Sequence, residues 1–211
     1  MKLHSQSSSI CILRHSEMSE MELLKKVSRL SPSDRLKLEK LVHPGRKRQF
    51  LCARAALVEM DISLEKVTTT PDGKPLHPNA FISMGHSASH AAAVSSLEHR
   101  CGIDIETMGR DVSRIRKRFV RPDEESISSD YSDLHIWVAK EAALKLTGVR
   151  TLDFLSDIQI TKRDDQKLLV HVGNGQATAP LTLHFAEHDG QLIGWCLLLE
   201  DDLSPSNQRI L

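Results

Sequence analysis

The order of secondary structure constrains this chain more than any other feature, because the chain runs from helix-rich to β-rich and then does so again. Helix signals dominate residues 16–60 and 112–147, and strand signals dominate most of the remainder. The second series begins near Glu98 to Cys101. This order predicts an α+β fold of two similar halves, residues 1–99 and 100–211, packed together with the functional site in the cleft between them.

Four local patterns give sharper predictions. Ser31, followed by a proline, is a typical N-cap and predicts a helix. The β-branched content of Ile62–Thr69 favours a strand. Ala91–Ser95 has helix-forming alanines, but it is so close to its neighbours that a strand is predicted. Ile136–Thr147 is the clearest helix, ended by Gly148 as a left-handed cap.

Composition excludes several classes of protein. Lys plus Arg and Asp plus Glu both total 28, so overall charge gives no reason to expect a nucleic-acid or membrane-surface protein. No run of about 18 apolar residues predicts a membrane span. The 4 cysteines lack Cys-x-x-Cys spacing, which argues against a zinc site or a disulfide framework and favours a reducing, cytoplasmic location.

Two stretches carry the candidate chemistry. In Cys101–Glu106, the period of two in extended chain places Asp104 and Glu106 on one face and two isoleucines on the other. Further along, good helix formers place Glu141 and Lys145 one turn apart on the same side. Brought together, three carboxylates would form an oxygen-ligand site for Mg²⁺, with a lysine close by for phosphate.

Each of these patterns also has a plain structural interpretation. Asp104 and Glu106 suit the solvated face of a strand, and Glu141 with Lys145 suits an ordinary helical ion pair that contributes about 0.3–0.5 kcal/mol. The basic stretch Arg46–Arg48 fits a solvated face as well as a phosphate site. Only their occurrence together favours a functional interpretation.

The motifs, taken in order, resemble the 4′-phosphopantetheinyl transferase superfamily, specifically its long, pseudo-duplicated branch typified by the surfactin-type enzymes. The similarity runs from about Ser31 to Leu152. The matching stretches are Gly73-Lys74-Pro75, Ser83 to Ser87, Gly102 to Glu106, Arg118-Phe119, and Trp137 to Lys145 with its Lys-Glu core.

The resemblance implies transfer of the phosphopantetheine arm of coenzyme A to a carrier-protein serine, with release of adenosine 3′,5′-bisphosphate. It implies that Asp104, Glu106 and Glu141 hold Mg²⁺. Glu141 would also act as the base, and Lys145 would contact the diphosphate. A non-catalytic relative that binds coenzyme A or a carrier, and a Mg²⁺-dependent nucleotide phosphohydrolase, are the alternatives.

The resemblance also implies contacts to coenzyme A. His86 lies at the family's Ser-His position for phosphate, and Lys74, Arg48 and Lys37 are similar to basic residues that hold the nucleotide end. Lys140 points about 100° away from its neighbour on the helix and is predicted to make a secondary phosphate contact.

The chain departs from the family pattern at two places. Gly85 stands where the family usually has the serine before the histidine, so one phosphate hydrogen bond is lost or comes from a backbone N–H. Gly148-Val149-Arg150 replaces a frequent Gly-x-Gly, which affects the local loop shape.

The predicted protein partner is an acidic carrier protein. Arg114, Arg116 and Lys117 belong to a basic segment after the acidic strand, and we predict that they dock this carrier, a solvated face being the alternative. Because two halves in one chain would supply internally the cleft that short family members build between subunits, a monomer is expected.

Overall fold

The chain consists of two compact units, Met1–Glu98 and His99–Leu211, in a computed structural model that describes residues 1–4, 8–127, 131–164, 167–173 and 179–198. Both units combine helices with antiparallel sheets, which confirms the predicted α+β class. Over the described residues, no helix is both long enough and apolar enough to cross a membrane.

The first unit packs helices on a four-stranded sheet of order β1-β2-β6-β5. Its strands are β1 (Lys2–His4), β2 (Ser8–Arg14), β5 (Phe81–His86) and β6 (His90–Ser96), with a separate pair β3 (Thr68–Thr69) and β4 (Pro75–Leu76). Its helices are α1 (Glu20–Lys26), α2 (Pro32–Lys40) and α3 (Pro44–Val58).

The second unit has one long helix and a five-stranded antiparallel sheet of order β7-β11-β10-β9-β8. The strands are β7 (Arg100–Thr107), β8 (Ile158–Asp164), β9 (Lys167–Val172), β10 (Ala179–His188) and β11 (Gln191–Leu198). The helix is α4 (Asp133–Thr147), which ends at Gly148 in the predicted left-handed conformation, with φ 74°.

Two glycines allow α4 to lie close to the sheet. A Cβ atom on Gly102 of β7 would stand 2.0 Å from the backbone oxygen of Ala142, and one on Gly194 of β11 would stand 2.6 Å from Cγ1 of Val138. Gly102 and Gly194 are on the same face of the sheet as Asp104, since Gly194 pairs with Asp104 and alternate residues share a face. The close approach therefore sets the distance between the acidic strand and α4.

Substituting these two glycines is expected to have different outcomes. Gly102→Ala meets backbone atoms, so we expect a loss of about 1–3 kcal/mol in unfolding free energy that truncating Leu146 does not recover. Gly194→Ala meets mainly side-chain atoms, so Val138→Ala should recover part of its loss. Urea unfolding of the single and double variants measures both, and equal recovery in the two cases would contradict this packing.

The prediction of a strand over Ile62–Thr69 is wrong for most of its length. Leu64–Lys66 forms a 3₁₀ turn, and only Thr68–Thr69 pairs as a strand. The turn brings Leu64 and Val67, three residues apart, into the core of the first unit, where they are 3% and 0% exposed. By contrast, the strand predicted over Ala91–Ser95 is confirmed as part of β6, which is buried along its whole length.

Candidate active site

The acidic strand β7 presents its carboxylates on one face, as its sequence predicts. Asp104 and Glu106 share the face that carries Gly102 against α4, whereas Ile103 and Ile105 lie on the opposite face and are fully buried. Both carboxylates contact side chains of α4. The strand and the helix are therefore brought together at the predicted residues.

Asp104 is bound by the lysine of the helix motif. Nζ of Lys145 donates to Oδ1 of Asp104 at 2.6 Å. The other oxygen, Oδ2, is buried and has no hydrogen-bond partner among the described residues. Because an unpaired buried carboxylate oxygen is costly, this atom marks a position where a further donor or cation would be stabilising.

Glu106 is also held by one of its two oxygens. Nε1 of Trp137 donates to Oε1 at 3.2 Å, and the Arg110 guanidinium donates to the same Oε1. Neither Trp137 nor Arg110 binds the second oxygen, Oε2. Each strand carboxylate thus has one oxygen bound by protein donors and a second oxygen that these donors leave available.

The two residues of α4 that contact the strand carboxylates share a row with Glu141. Trp137, Glu141 and Lys145 are spaced by four residues and therefore lie on one side of the helix. The first contacts Glu106 and the last contacts Asp104, so Glu141 lies between the two bonded pairs. The row accordingly brings a third carboxylate to the two strand carboxylates.

The charge of Glu141 is incompletely balanced. Loss of water contact raises the pKa of this carboxyl, and the negative charge of Asp104 raises the pKa further, whereas Lys145 and Arg110 oppose the shift. The raised pKa makes Glu141 a stronger base than an exposed glutamate. It also shows that Asp104 and Glu141 are close enough to repel one another.

The donor set fits a hard divalent cation. In the described ranges, no three His, Cys, Asp or Glu side chains stand close enough together to hold a metal ion as they are placed. Mg²⁺ retains several waters and is commonly bound through one or two carboxylates and substrate phosphates, so it does not require a preformed cage. The unpartnered Oδ2 of Asp104 and the raised pKa of Glu141 both indicate negative charge that such an ion would balance.

Lys140 has a different position from the one predicted. Its side chain is fully buried, and Nζ lies 2.9 Å from Oε2 of Glu124, 2.8 Å from the Phe154 carbonyl oxygen and 2.9 Å from the Ile158 carbonyl oxygen. These three partners use all three N–H groups of the ammonium. The predicted phosphate contact is therefore corrected: Lys140 instead links α4 to Glu124 and to the backbone at Phe154 and Ile158.

Four of the predicted coenzyme A residues, Arg48, His86, Lys74 and Lys37, lie in the first unit. Arg48 of α3 donates from Nε to the His15 carbonyl oxygen at 2.8 Å and also binds the Met18 carbonyl oxygen. His86 is exposed at the end of β5, and desolvation together with the charges of His86 and Arg48 lowers the pKa of buried His15. Arg48 and His86 therefore both act on His15.

The other two predicted basic residues occupy separate elements of the first unit. Lys74 is half-buried in the turn that joins β3 to β4, where its backbone N–H donates to Oγ1 of Thr70 at 3.0 Å. Lys37 is exposed on α2. Their predicted contacts to the nucleotide end of coenzyme A stay predictions.

The basic segment after β7 contains one arginine that is already paired. Arg116 binds Glu125, with one contact at 2.8 Å, and Asp133 at 2.9 Å, and these carboxylates raise its pKa. Arg114 and Lys117 are exposed on the same 3₁₀ segment, Ser113–Arg118. The structure thus separates a structural arginine from two exposed cations in the predicted docking set.

Sequence reasoning missed two contributors to this site, Trp137 and Arg110, and the buried partner of Lys140, Glu124. The position of Trp137, four residues before Glu141, indicated a shared helix face, but the bond to Glu106 needed the fold. Arg110 follows the strand in a loop, where spacing carries no geometric meaning. Glu124 has no sequence signal that distinguishes it from its acidic neighbours.

A family model of the 4′-phosphopantetheinyl transferase superfamily matches residues 100–196. The match begins with β7 and includes α4, so it contains both strand carboxylates and the helix row. No curated protein matches the chain.

Proposed function

We propose that this protein is a 4′-phosphopantetheinyl transferase that moves the arm of coenzyme A to a serine hydroxyl of an apo carrier protein, with Mg²⁺ as cofactor. The observation that carries the proposal is the pairing of the β7 carboxylates with the Trp137-Glu141-Lys145 row, inside the segment that matches the family model. We further assign the chain to the long branch of that superfamily, on the motifs that it carries before residue 100.

In the proposed reaction, the serine oxygen bonds to the β-phosphorus of coenzyme A. The pyrophosphate bond breaks, and its electron pair leaves with adenosine 3′,5′-bisphosphate. Glu141 accepts the serine proton, for which its raised pKa suits it. Asp104, Glu106 and Glu141 would hold Mg²⁺, which would supply positive charge to the phosphate oxygens.

Basic side chains of each unit are proposed to bind coenzyme A. Lys145 uses one N–H for Asp104 and has two others with which to neutralise the diphosphate. His86 and Arg48 are proposed to bind phosphate groups of coenzyme A, as the family resemblance implies. Lys74 and Lys37 are proposed for the nucleotide end. Lys140 is left out of this set because its ammonium is saturated.

One experiment tests the reaction against its alternatives. The protein is incubated with coenzyme A, Mg²⁺ and an apo carrier protein, and the intact mass of the carrier is measured. Attachment of one phosphopantetheine arm that requires Mg²⁺ and disappears in Glu141→Ala supports the proposal. Binding without attachment supports the non-catalytic relative, and nucleotide cleavage without a carrier supports the phosphohydrolase.

The carrier is proposed to dock on the exposed cations of the segment after β7. We expect Arg114→Glu/Lys117→Glu to raise the KM for an acidic carrier about tenfold at low ionic strength and much less at high salt, because exposed charges are screened. The KM for coenzyme A should stay the same. Steady-state kinetics at two salt concentrations measures both constants.

The control for docking has the same change in charge in another part of the chain. Lys25→Glu/Lys66→Glu replaces two exposed lysines of the first unit and should leave the KM for the carrier unchanged. Arg116 is left out of the test, since its reversal breaks ion pairs within the second unit. Equal effects of the two double variants would mean that overall charge, rather than this segment, attracts the carrier.

A further inference from the structure

The two donors on Glu106 differ in kind, although they bind the same oxygen. Trp137 contributes a neutral indole N–H, and Arg110 contributes a positive charge. We propose that Trp137 is the positioning residue of Glu106: it fixes Oε1 so that Oε2 is presented to the divalent cation. The inference rests on the proposed function for the identity of the cation, and its test measures cation binding separately from transfer.

The indole is held in place by other aromatic rings. The Trp137 ring makes edge-to-face contacts with Phe119, at a centroid distance of 5.2 Å and an angle of 72°, and with Phe154, at 5.6 Å and 79°. Phe119 is fully buried. Such contacts prefer defined geometry, so the N–H of the indole has a fixed direction.

A fixed donor matters because the glutamate side chain is flexible. Ordering a glutamate costs up to about 1.5–2 kcal/mol of rotamer entropy. The hydrogen bond from Trp137 orders the Glu106 side chain in the free protein, so less rotamer entropy is lost when a cation binds. Partners of this kind, which orient a ligand without touching the metal, typically change metal affinity about 10–100-fold when they are removed.

Arg110 has the opposite effect on the same carboxylate. Its guanidinium lies 5.6 Å from the centre of the Trp137 ring and its side chain is 41% exposed. Its charge neutralises Glu106 and therefore competes with a cation. Trp137 orients Glu106 without neutralising it, so the two donors are distinguished by the sign of their effect on cation affinity.

The experiment uses the two tryptophans of the chain as a matched pair. Trp195 lies on β11, stacked on His184 at 5.4 Å, and pairs with Ile103 on the face opposite the carboxylates. Trp137→Phe keeps an aromatic ring against Phe119 and Phe154 but removes the N–H. Trp195→Phe is the control, and Mg²⁺ binding to each variant is measured by calorimetry without substrates.

We expect Trp137→Phe to raise the dissociation constant for Mg²⁺ about tenfold, Trp195→Phe to leave it unchanged, and Arg110→Gln to lower it. At saturating Mg²⁺, the KM values for coenzyme A and carrier should be unaffected by Trp137→Phe. A tryptophan that only packed against Phe119 and Phe154 would leave the Mg²⁺ affinity unchanged in Trp137→Phe, because phenylalanine keeps an aromatic ring there. Unchanged Mg²⁺ affinity in a folded Trp137→Phe protein would overturn the inference.

A spectroscopic measurement keeps the inference testable if Trp137→Phe does not fold. In Trp195→Phe, Trp137 is the only tryptophan, so its fluorescence reports directly on the Glu106 contact. Mg²⁺ should change this emission over the same concentrations that calorimetry shows to bind. Binding without a change in emission would overturn the inference, and transfer activity in that protein would leave the proposed function standing. A response without transfer would support the inference while refuting that function.

Discussion

Glutamine in place of Glu141 is expected to lower the rate of arm transfer about 10²- to 10⁴-fold, the range that general acid–base catalysis contributes. The amide keeps the size of the side chain but accepts no proton at neutral pH. Glu141 lies between the two bonded pairs and has a raised pKa, which is the environment expected of a base. The rate is measured by intact mass of the carrier at saturating coenzyme A, carrier and Mg²⁺.

The same substitution should stabilise the protein when Mg²⁺ is absent. A carboxyl whose pKa is raised by folding stabilises the fold below its ordinary pKa of 4.5, and this contribution is lost as the pH rises through the raised folded value. Glu141→Gln should therefore melt at a higher temperature than the parent protein at pH 7 in chelator, with the difference shrinking in acid. Glu39→Gln, at an exposed position of α2, is the control. Full transfer activity in Glu141→Gln would exclude Glu141 as the base.

Local periodicity predicted the parts of the site that depend on a single element. The faces of β7 follow from alternation, and the end of α4 at Thr147 follows from helix propensity and Gly148, whereas its start at Asp133 lies before the predicted Ile136. The shared side of Glu141 and Lys145 follows from helical spacing. These predictions are reliable because each element must bury its own apolar face, whatever its neighbours are.

Contacts between different elements could not be predicted from the sequence. Arg116 looked like one member of an exposed basic set, but its partners Glu125 and Asp133 lie 9 and 17 residues along the chain. Lys140 looked accessible on an amphipathic helix, but its partner is Glu124, 16 residues earlier. In both cases a pairing across elements decided between a surface cation and a structural one, and no periodic signal encodes such a pairing.

Methionine in place of Lys140 is expected to cost about 3–5 kcal/mol of unfolding free energy, because it leaves the fully buried Glu124 without its cation. For a chain of this size, the loss corresponds to a melting temperature lower by about 10 °C. Oε1 of Glu124 also accepts a hydrogen bond from the backbone N–H of Ile160 at 2.7 Å, which holds the carboxylate in its buried position. Thermal and urea unfolding measure the loss.

A second substitution separates the buried charge from simple loss of packing. Lys140→Met/Glu124→Gln removes both charges of this buried pair and keeps an acceptor for Ile160, so it should recover much of the stability that Lys140→Met loses. Lys25→Met, at an exposed position of α1, should change the unfolding free energy by less than about 0.5 kcal/mol. If Lys140→Met instead unfolded at the parental midpoint and raised the KM for coenzyme A, the lysine would reach a phosphate in solution, and the contact predicted from the family resemblance would be correct.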